Sequence, residues 1–331
     1  MPVTRRTVIA GAAALIALPR LAFAQSGPLE AAAAYSADRR GVSFLVLDHG
    51  QPIHEHYPNG GGPDRAWELA SGTKSFSGII AAAAVRDGLL ALDEPCAATL
   101  PEWRDGRAAI TLRQLLTLTG GIESGIGRPP GYAAAVGAMP TAAPGSRFDY
   151  GPVPFQIFGE IMRRKLRATG REGDPVAWLN DRVLTPLGIA ASDWRHGRDG
   201  NPMLPQGAQF TARALAAFGQ YVLSGSPGLD PSALAACFTG SAANPGYGLT
   251  WWLLRPGLLG PTDSDRQDFA ALGRAFADED IVMAAGAGDQ RLYLVRRRGL
   301  VVVRQARGIL RAMLGGSDWS DAEFLSLLLR A

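Results

Sequence analysis

A serine stands three residues before a lysine in the stretch Trp67-Glu68-Leu69-Ala70-Ser71-Gly72-Thr73-Lys74. The lysine is unusual for this chain. Of its 33 basic residues only two, Lys74 and Lys165, are lysines, and every other positive charge is an arginine. Arginine stays protonated in proteins, whereas a desolvated lysine can lose its proton and serve as a base. Positions three apart on a helix share a face, so Lys74 would lie beneath Ser71. The positive end of the helix dipole would favour negative charge developing on the serine oxygen. Ser71 then reads as a nucleophile and Lys74 as its base. The local alternative is an ordinary helix start in which Lys74 reaches an exposed carboxylate.

Other chemistries find less to work with. Gly-x-Ser-x-Gly, Gly-x-Gly-x-x-Gly and the P-loop pattern do not occur in the sequence. Cys96 and Cys237 are the only cysteines. They lack metal-ligand spacing and read as a disulfide or as two buried thiols. His54 and His56 would share one face of a strand, but with no third ligand in view they do not make a zinc site. No metal and no organic cofactor are expected.

Residues 1–24 have the form of an export signal. Arg5 and Arg6 precede an apolar run from Val8 to Leu18, and Ala22-Phe23-Ala24 is a small-x-small cleavage site. The Thr4-Arg5-Arg6 start points to the twin-arginine route and a periplasmic or secreted protein. The apolar run is about half of the roughly 20 residues a spanning helix needs, and no stable membrane insertion is expected after cleavage. Cleavage removes Arg5, Arg6 and Arg20 and no acidic residue, leaving 30 basic and 30 acidic groups. The sequence pI of about 9.1 thus belongs to the targeting segment, and the neutral remainder argues against nucleic acid as a partner.

The elements that must hold Ser71 and Lys74 follow from the pattern. Val42–Asp48, a His49-Gly50 turn and Pro52–Tyr57 predict a β-hairpin. A helix is predicted from Ser71 to about Arg86, with Phe76, Ile79, Ile80 and Ala83 on one face. Residues 90–240 are punctuated by Pro and Gly and read as short helices near 111–118, 154–167, 175–184 and 211–223, the last capped by Thr211 and stopped by Gly225. Strands are predicted at Leu249–Leu253, Ile281–Ala285, Arg291–Arg297 and Leu300–Arg304. A closing helix is predicted to be capped by Ser317 or Asp318 and to run to about Leu329. Strands at both ends with helices between predict an α+β fold, a sheet with an inserted helical part.

With these residues in view, the chain resembles the β-lactamase-related serine hydrolases. That group includes class C β-lactamases, D-alanyl-D-alanine carboxypeptidases, esterases and 6-aminohexanoate-dimer hydrolases. Ser71-Gly72-Thr73-Lys74 matches the first family motif, Ser-x-x-Lys. DGLLALDEP (87–95), ITLRQLLTLTGGI (110–122), PGSRFDYGPVPFQIFGEIM (144–162), LTPLGI (184–189), YGLTWW (247–252) and GAGDQRLYLV (286–295) follow in family order. The resemblance runs from about residue 35 to 330. It implies a β-lactamase/transpeptidase-like domain over 25–331, with a sheet subdomain at about 35–90 and 245–331 and a helical subdomain at about 91–244.

The second motif, Tyr-x-Asn, maps to Tyr150, which the resemblance makes the partner of Lys74 in proton transfer, but Pro152 replaces the asparagine. The third, Lys-Thr-Gly or His-x-Gly, falls on Gly286-Ala287-Gly288, where no cation is present. The resemblance still implies an oxyanion hole from the N–H groups of Ser71 and Ala287, and substrate contact at Gly286 and Gly288. Trp251 and Trp252 are candidates for an acyl pocket, although strand alternation lets only one of them face it. The expected protein is an exported hydrolase of a small-molecule ester or amide, esterase-like more than β-lactamase-like, with an oligomeric state the sequence does not reveal. The rivals are a carboxypeptidase or weak β-lactamase, a non-catalytic binding or sensor module on the same fold, and an unrelated secreted binding protein with a chance Ser-x-x-Lys.

Overall fold

The computed structural model describes residues 26–330, so the expected export segment lies outside the described residues. The predicted hairpin forms as β1 (Gly41–Asp48) and β2 (Gln51–His56). His49 and Gly50 both take positive φ, 45° and 81°, as a two-residue turn between right-twisted strands requires. Further along lie β3 (Trp67–Glu68), β4 (Asp193–Trp194), β5 (Ala208–Phe210), β6 (Trp252–Leu253), β7 (Ile281–Gly286), β8 (Gln290–Val295) and β9 (Leu300–Ala306). The main sheet has six strands in the order β2-β1-β9-β8-β7-β6, paired antiparallel throughout. The last long strand therefore lies beside the first, with Val46 opposite Val302. A short second sheet, β3-β5-β4, ties the approach to Ser71 to residues 193–210.

Alternation along the strands sets what covers each face. Leu292, Leu294 and Val301 meet the Ala212–Leu223 helix closely enough that a Cβ on Gly219 would lie 2.8 Å from Leu292 and Val301. Tyr293 and Phe44 point the other way and pack on Phe324, at 5.9 and 5.6 Å between ring centroids. Phe324 belongs to the Asp321–Leu329 helix, which the Ser26–Asp38 helix accompanies.

Several predicted boundaries shift for identifiable reasons. The Ala212–Leu223 helix, capped by Thr211 as expected, lies on the sheet rather than within a separate helical part. Only Trp252–Leu253 of the predicted 249–253 strand pairs, because Thr250 turns the chain at φ 71°. The closing helix starts at Asp321 behind a Ser320 cap, since the Ser317 hydroxyl is taken by Asp289 at 2.9 Å. Arg296–Arg298 form a turn instead of extending β8. A short Ile309–Met313 helix, absent from the sequence reading, follows β9. Cys96 and Cys237 are buried free thiols, both pushed up to about 12 by desolvation.

The helix that continues from Ser71 is central to the fold. It runs from Ser75 to Arg86 and is buried on all sides from Ser75 to Ala84, not on one face alone. Phe76 stacks on Phe218 and Phe210 at 4.2 and 5.1 Å. On another side the Ser75 hydroxyl donates to the Thr250 carbonyl at 2.9 Å, and the Gly78 N–H donates to Thr250 Oγ1 at 3.0 Å. A Cβ on Gly78 would lie 2.5 Å from the Leu249 carbonyl oxygen. Alanine is favoured over glycine in a helix by about 1 kcal/mol, but this backbone contact leaves no room for it. Gly78→Ala is therefore expected to destabilise the protein by about 1–3 kcal/mol, read as a lower urea midpoint at unchanged m-value; an unchanged or higher midpoint would contradict the close-contact argument.

Candidate active site

Ser71 sits in a tight 3₁₀ turn, Ala70–Lys74, that leads directly into the central helix. Ala70 holds φ at 45°, a left-handed conformation that costs an L-residue roughly 1–2 kcal/mol. The turn is clamped by backbone: Leu69 N–H donates to the Ala208 carbonyl at 2.9 Å, and Ala208 N–H donates to Thr73 Oγ1 at 3.3 Å. Lys74 is 5% exposed. Its Nζ lies 2.9 Å from Ser71 Oγ and donates to the Pro205 carbonyl at 3.0 Å. Among the described residues no carboxylate pairs with Lys74, whereas Lys165 meets Glu94 at 2.7 Å. Desolvation alone pulls the Lys74 pKa from its ordinary 10.5 down to about 7. The exposed-carboxylate alternative for Lys74 is thus not what the fold contains.

Tyr150 approaches Ser71 from the N-terminal end of the Val153–Ala168 helix. Lys74 Nζ lies 5.0 Å from the centre of its ring. Burial raises the phenol to about 12, against the opposing pull of a hydrogen bond with Ser71 and of the Arg291 charge. The ring rests on Trp252 at 5.3 Å. Neither tryptophan expected at the pocket lines the cleft: Trp251 is fully buried against Phe238 at 5.9 Å, and Trp252 is buried beneath the Tyr150 ring. Gln156, in the first turn of the Val153–Ala168 helix, donates to the Pro130 carbonyl at 2.7 Å and accepts from Leu204 N–H at 3.2 Å. It thereby fixes the loop whose Pro205 carbonyl holds Lys74.

The end of β7 closes the third side. A Cβ on Gly286 would lie 2.0 Å from the Leu69 carbonyl oxygen and 2.9 Å from Gly72 N, so the strand reaches the Ser71 turn only because residue 286 has no side chain. Ala287 lines the cleft, while Gly286 and Gly288, expected to touch substrate, do not. Gly288, at φ 73°, instead packs where a Cβ would lie 2.8 Å from Ile309 Cα. Arg291 donates to the Gly286 carbonyl at 3.1 Å and forks onto Asp321 at 2.7 and 2.9 Å. Arg304 donates to the Asp289 carbonyl at 2.7 Å. These bonds hold the 287–289 turn in place before any ligand arrives.

The arrangement of Ser-x-x-Lys, tyrosine and glycine strand in this fold agrees with the sequence as a whole, which matches the family described as Beta-lactamase over residues 28–305. The chain belongs to the β-lactamase family. Among curated proteins none matches the sequence. Solved structures similar to it include a D-stereospecific amidohydrolase from a Streptomyces species, at 17% identity over 93% of this chain and 99% of that one, with a TM-score of 0.66. A penicillin-binding protein homolog from Caulobacter crescentus is similar at 19% identity over 91% and 95%, TM-score 0.66. EstCE1, a hydrolase with promiscuous acyltransferase activity, is similar at 15% identity over 91% and 96%, TM-score 0.66. Likeness at this level of identity establishes the β-lactamase/transpeptidase-like fold, and membership places the chain among hydrolases.

Within that family frame, side chains that sequence reading missed also line the cleft of about 450 Å³ beside Ser71. Gln206 brings a carboxamide to the cleft that Pro152 cannot supply. Glu68 carries a raised pKa from burial and is ion-paired with Arg195. Glu68 was readable as a neighbour of Ser71. Gln206 and Arg195 carried no signal, because the β3-β5-β4 pairing alone brings them there.

The lowered pKa of Lys74 has a consequence for stability. Between about 7 and 10.5 the unfolded chain binds a proton at this site that the folded chain does not, so stability contributed here rises with pH across that window. Lys74→Met is expected to raise stability most at or below pH 7 and to reduce the gain between pH 7 and pH 9.5, by denaturant titration at several pH values. An unaltered pH slope in the variant would mean that Lys74 is charged in the folded protein.

Proposed function

We propose that this protein is a serine hydrolase that cleaves an ester or amide through an acyl-enzyme on Ser71. The observation that carries the proposal is the buried Lys74, with Nζ 2.9 Å from Ser71 Oγ and no acidic partner among the described residues. A neutral amine in that position donates to Pro205 and accepts the serine proton on its lone pair. Ser71 Oγ bonds to the substrate carbonyl carbon as its proton passes to Lys74. The N–H groups of Ser71 and Ala287 take the resulting oxyanion. When the tetrahedral intermediate collapses, the bond to the leaving group breaks. The departing alcohol or amine takes a proton from Tyr150, which Lys74 replenishes. Water then attacks the acyl carbon, its proton returns through the same groups, and the carboxylic acid leaves Ser71 free. A phenol raised to about 12 suits Tyr150 to donation and leaves the base role to Lys74, a narrower division than the shared proton removal read from the resemblance.

An esterase or amidase reading is favoured over a β-lactamase or D-Ala-D-Ala carboxypeptidase because the 286–288 segment offers no cation for a substrate carboxylate and Pro152 has no amide to present. In this reading the protein works outside the cytoplasm after removal of residues 1–24.

The test is hydrolysis of p-nitrophenyl acetate by the mature chain, Ser71→Ala and Lys74→Arg, with mass spectrometry of the protein after mixing. Wild type is expected to show an acyl adduct on Ser71. Ser71→Ala should lose it, and Lys74→Arg should lose about a hundred- to ten-thousand-fold in rate. Full activity in Lys74→Arg would remove the base from the mechanism, and stable acylation without turnover would favour the binding or sensor module. In wild type, kcat/KM should climb with pH as Lys74 deprotonates near pH 7 and then level off; a flat profile from pH 5 to 9 would place the base elsewhere.

A further inference from the structure

We propose that the acyl chain of the substrate is apolar and several carbons long, and that it lies on a wall made by Ile309, Leu310 and Met313. The inference rests on the serine-hydrolase reading and names the substrate class of the same site. Leu310 and Met313 are 72% and 59% exposed, yet both line the cleft that contains Ser71. Single exposed hydrophobic residues are ordinary on a protein surface, whereas a cluster at the mouth of a cleft marks a place where apolar matter docks.

The structure builds this wall with care. The Ile309–Met313 helix stands between Gly308 at φ 94° and Gly315 at φ 80°. Its only charged side chain, Arg311, folds back to donate to the Gly316 carbonyl at 3.0 Å and does not line the cleft. The helix seats on Gly288 with no side chain between them, which places it on the Ala287 side of Ser71. Tyr150 lies on the other side, beside Ser124, since a Cβ on Gly151 would lie 2.2 Å from Ser124 Oγ; there a lone Ile126 lines the cleft, against the cluster of three on the Ala287 side.

That asymmetry assigns the two halves of the substrate. The leaving group departs toward its proton donor, Tyr150. What stays on Ser71, with its carbonyl oxygen at Ala287, faces Ile309, Leu310 and Met313. Of the charged side chains that line the cleft, Glu68 and Arg195 pair with each other, while Arg128 stands in the exposed 125–128 loop and is not part of the Ile309–Met313 wall.

The experiment holds the leaving group constant and lengthens the acyl chain, using p-nitrophenyl acetate, butyrate and octanoate. Each methylene buried is worth roughly a three- to fourfold gain, and partial exposure of the wall lowers this, so wild-type kcat/KM should rise at least about tenfold from acetate to octanoate. In Leu310→Ser/Met313→Ser the octanoate-to-acetate ratio should fall to within about twofold. It should be retained in Met313→Leu, which keeps the apolar surface, and in Leu314→Ser, which alters an exposed residue outside the cleft; melting curves confirm that each variant is folded. Octyl acetate should gain nothing over ethyl acetate. A flat wild-type profile with the Ser71 adduct intact would overturn the acyl wall and leave the hydrolase reading standing. A preference for long alcohols would overturn it in favour of a leaving-group site. Cleavage of no ester, with no adduct on Ser71, would defeat the hydrolase reading itself and this inference with it.

Discussion

The site depends on keeping one amine dry. Burying a lysine costs several kcal/mol if it stays charged, and among the described residues Lys74 meets no carboxylate that would offset the cost. The group escapes by giving up its proton near neutral pH. Its remaining polar needs are met by one serine hydroxyl and one backbone carbonyl, at 2.9 and 3.0 Å. Everything around it keeps water out: Phe155 at 5.5 Å from Nζ, the Tyr150 ring, and the loop carrying Pro205. An arginine could not use this cavity, because its charge cannot be surrendered.

Holding that amine beneath Ser71 explains much of the architecture. The central helix is buried all round because it must carry Ser71 and Lys74 between the sheet and the helices that bring Tyr150. Such enclosure requires close backbone approach, and glycines provide it at Gly78 against Leu249 and at Gly286 against Leu69. The sheet closes by pairing the last long strand with the first, so the residues that frame Ser71 come from opposite ends of the chain. Buried arginines then act as braces rather than as catalysts. Arg291, on β8 and anchored by Asp321, holds the Gly286 carbonyl, and Arg304 holds the turn that follows Ala287.

The departures from the family motifs fit together. The third motif carries Gly286 where relatives of the resemblance carry a cation, and the second motif ends in Pro152. Both changes remove a polar side chain from a motif position beside Ser71. The cleft instead has the Gln206 carboxamide and Arg128, a paired Glu68 and Arg195, and the apolar side chains of Ile309, Leu310 and Met313.

The sequence by itself determined the Ser71–Lys74 pairing and the class of fold. Ser71 and Lys74 are three residues apart, so their meeting is a local matter of helix geometry. The hairpin at His49-Gly50 and the Thr211 cap were legible for the same reason: turn and cap chemistry act over a few residues. Tyr150 was legible only through its resemblance to a motif. Tertiary structure alone decided the rest. It chose Trp252 over Trp251 beneath Tyr150, moved the last helix cap from Ser317 to Ser320 because Asp289 claims Ser317, and laid the Ala212–Leu223 helix on the sheet. It also set Pro205 and Gln206, about 130 residues from Lys74 in sequence, at the site. Contacts of that range leave no period or spacing in the chain, because the partner of each residue is fixed by which surfaces the finished core brings together.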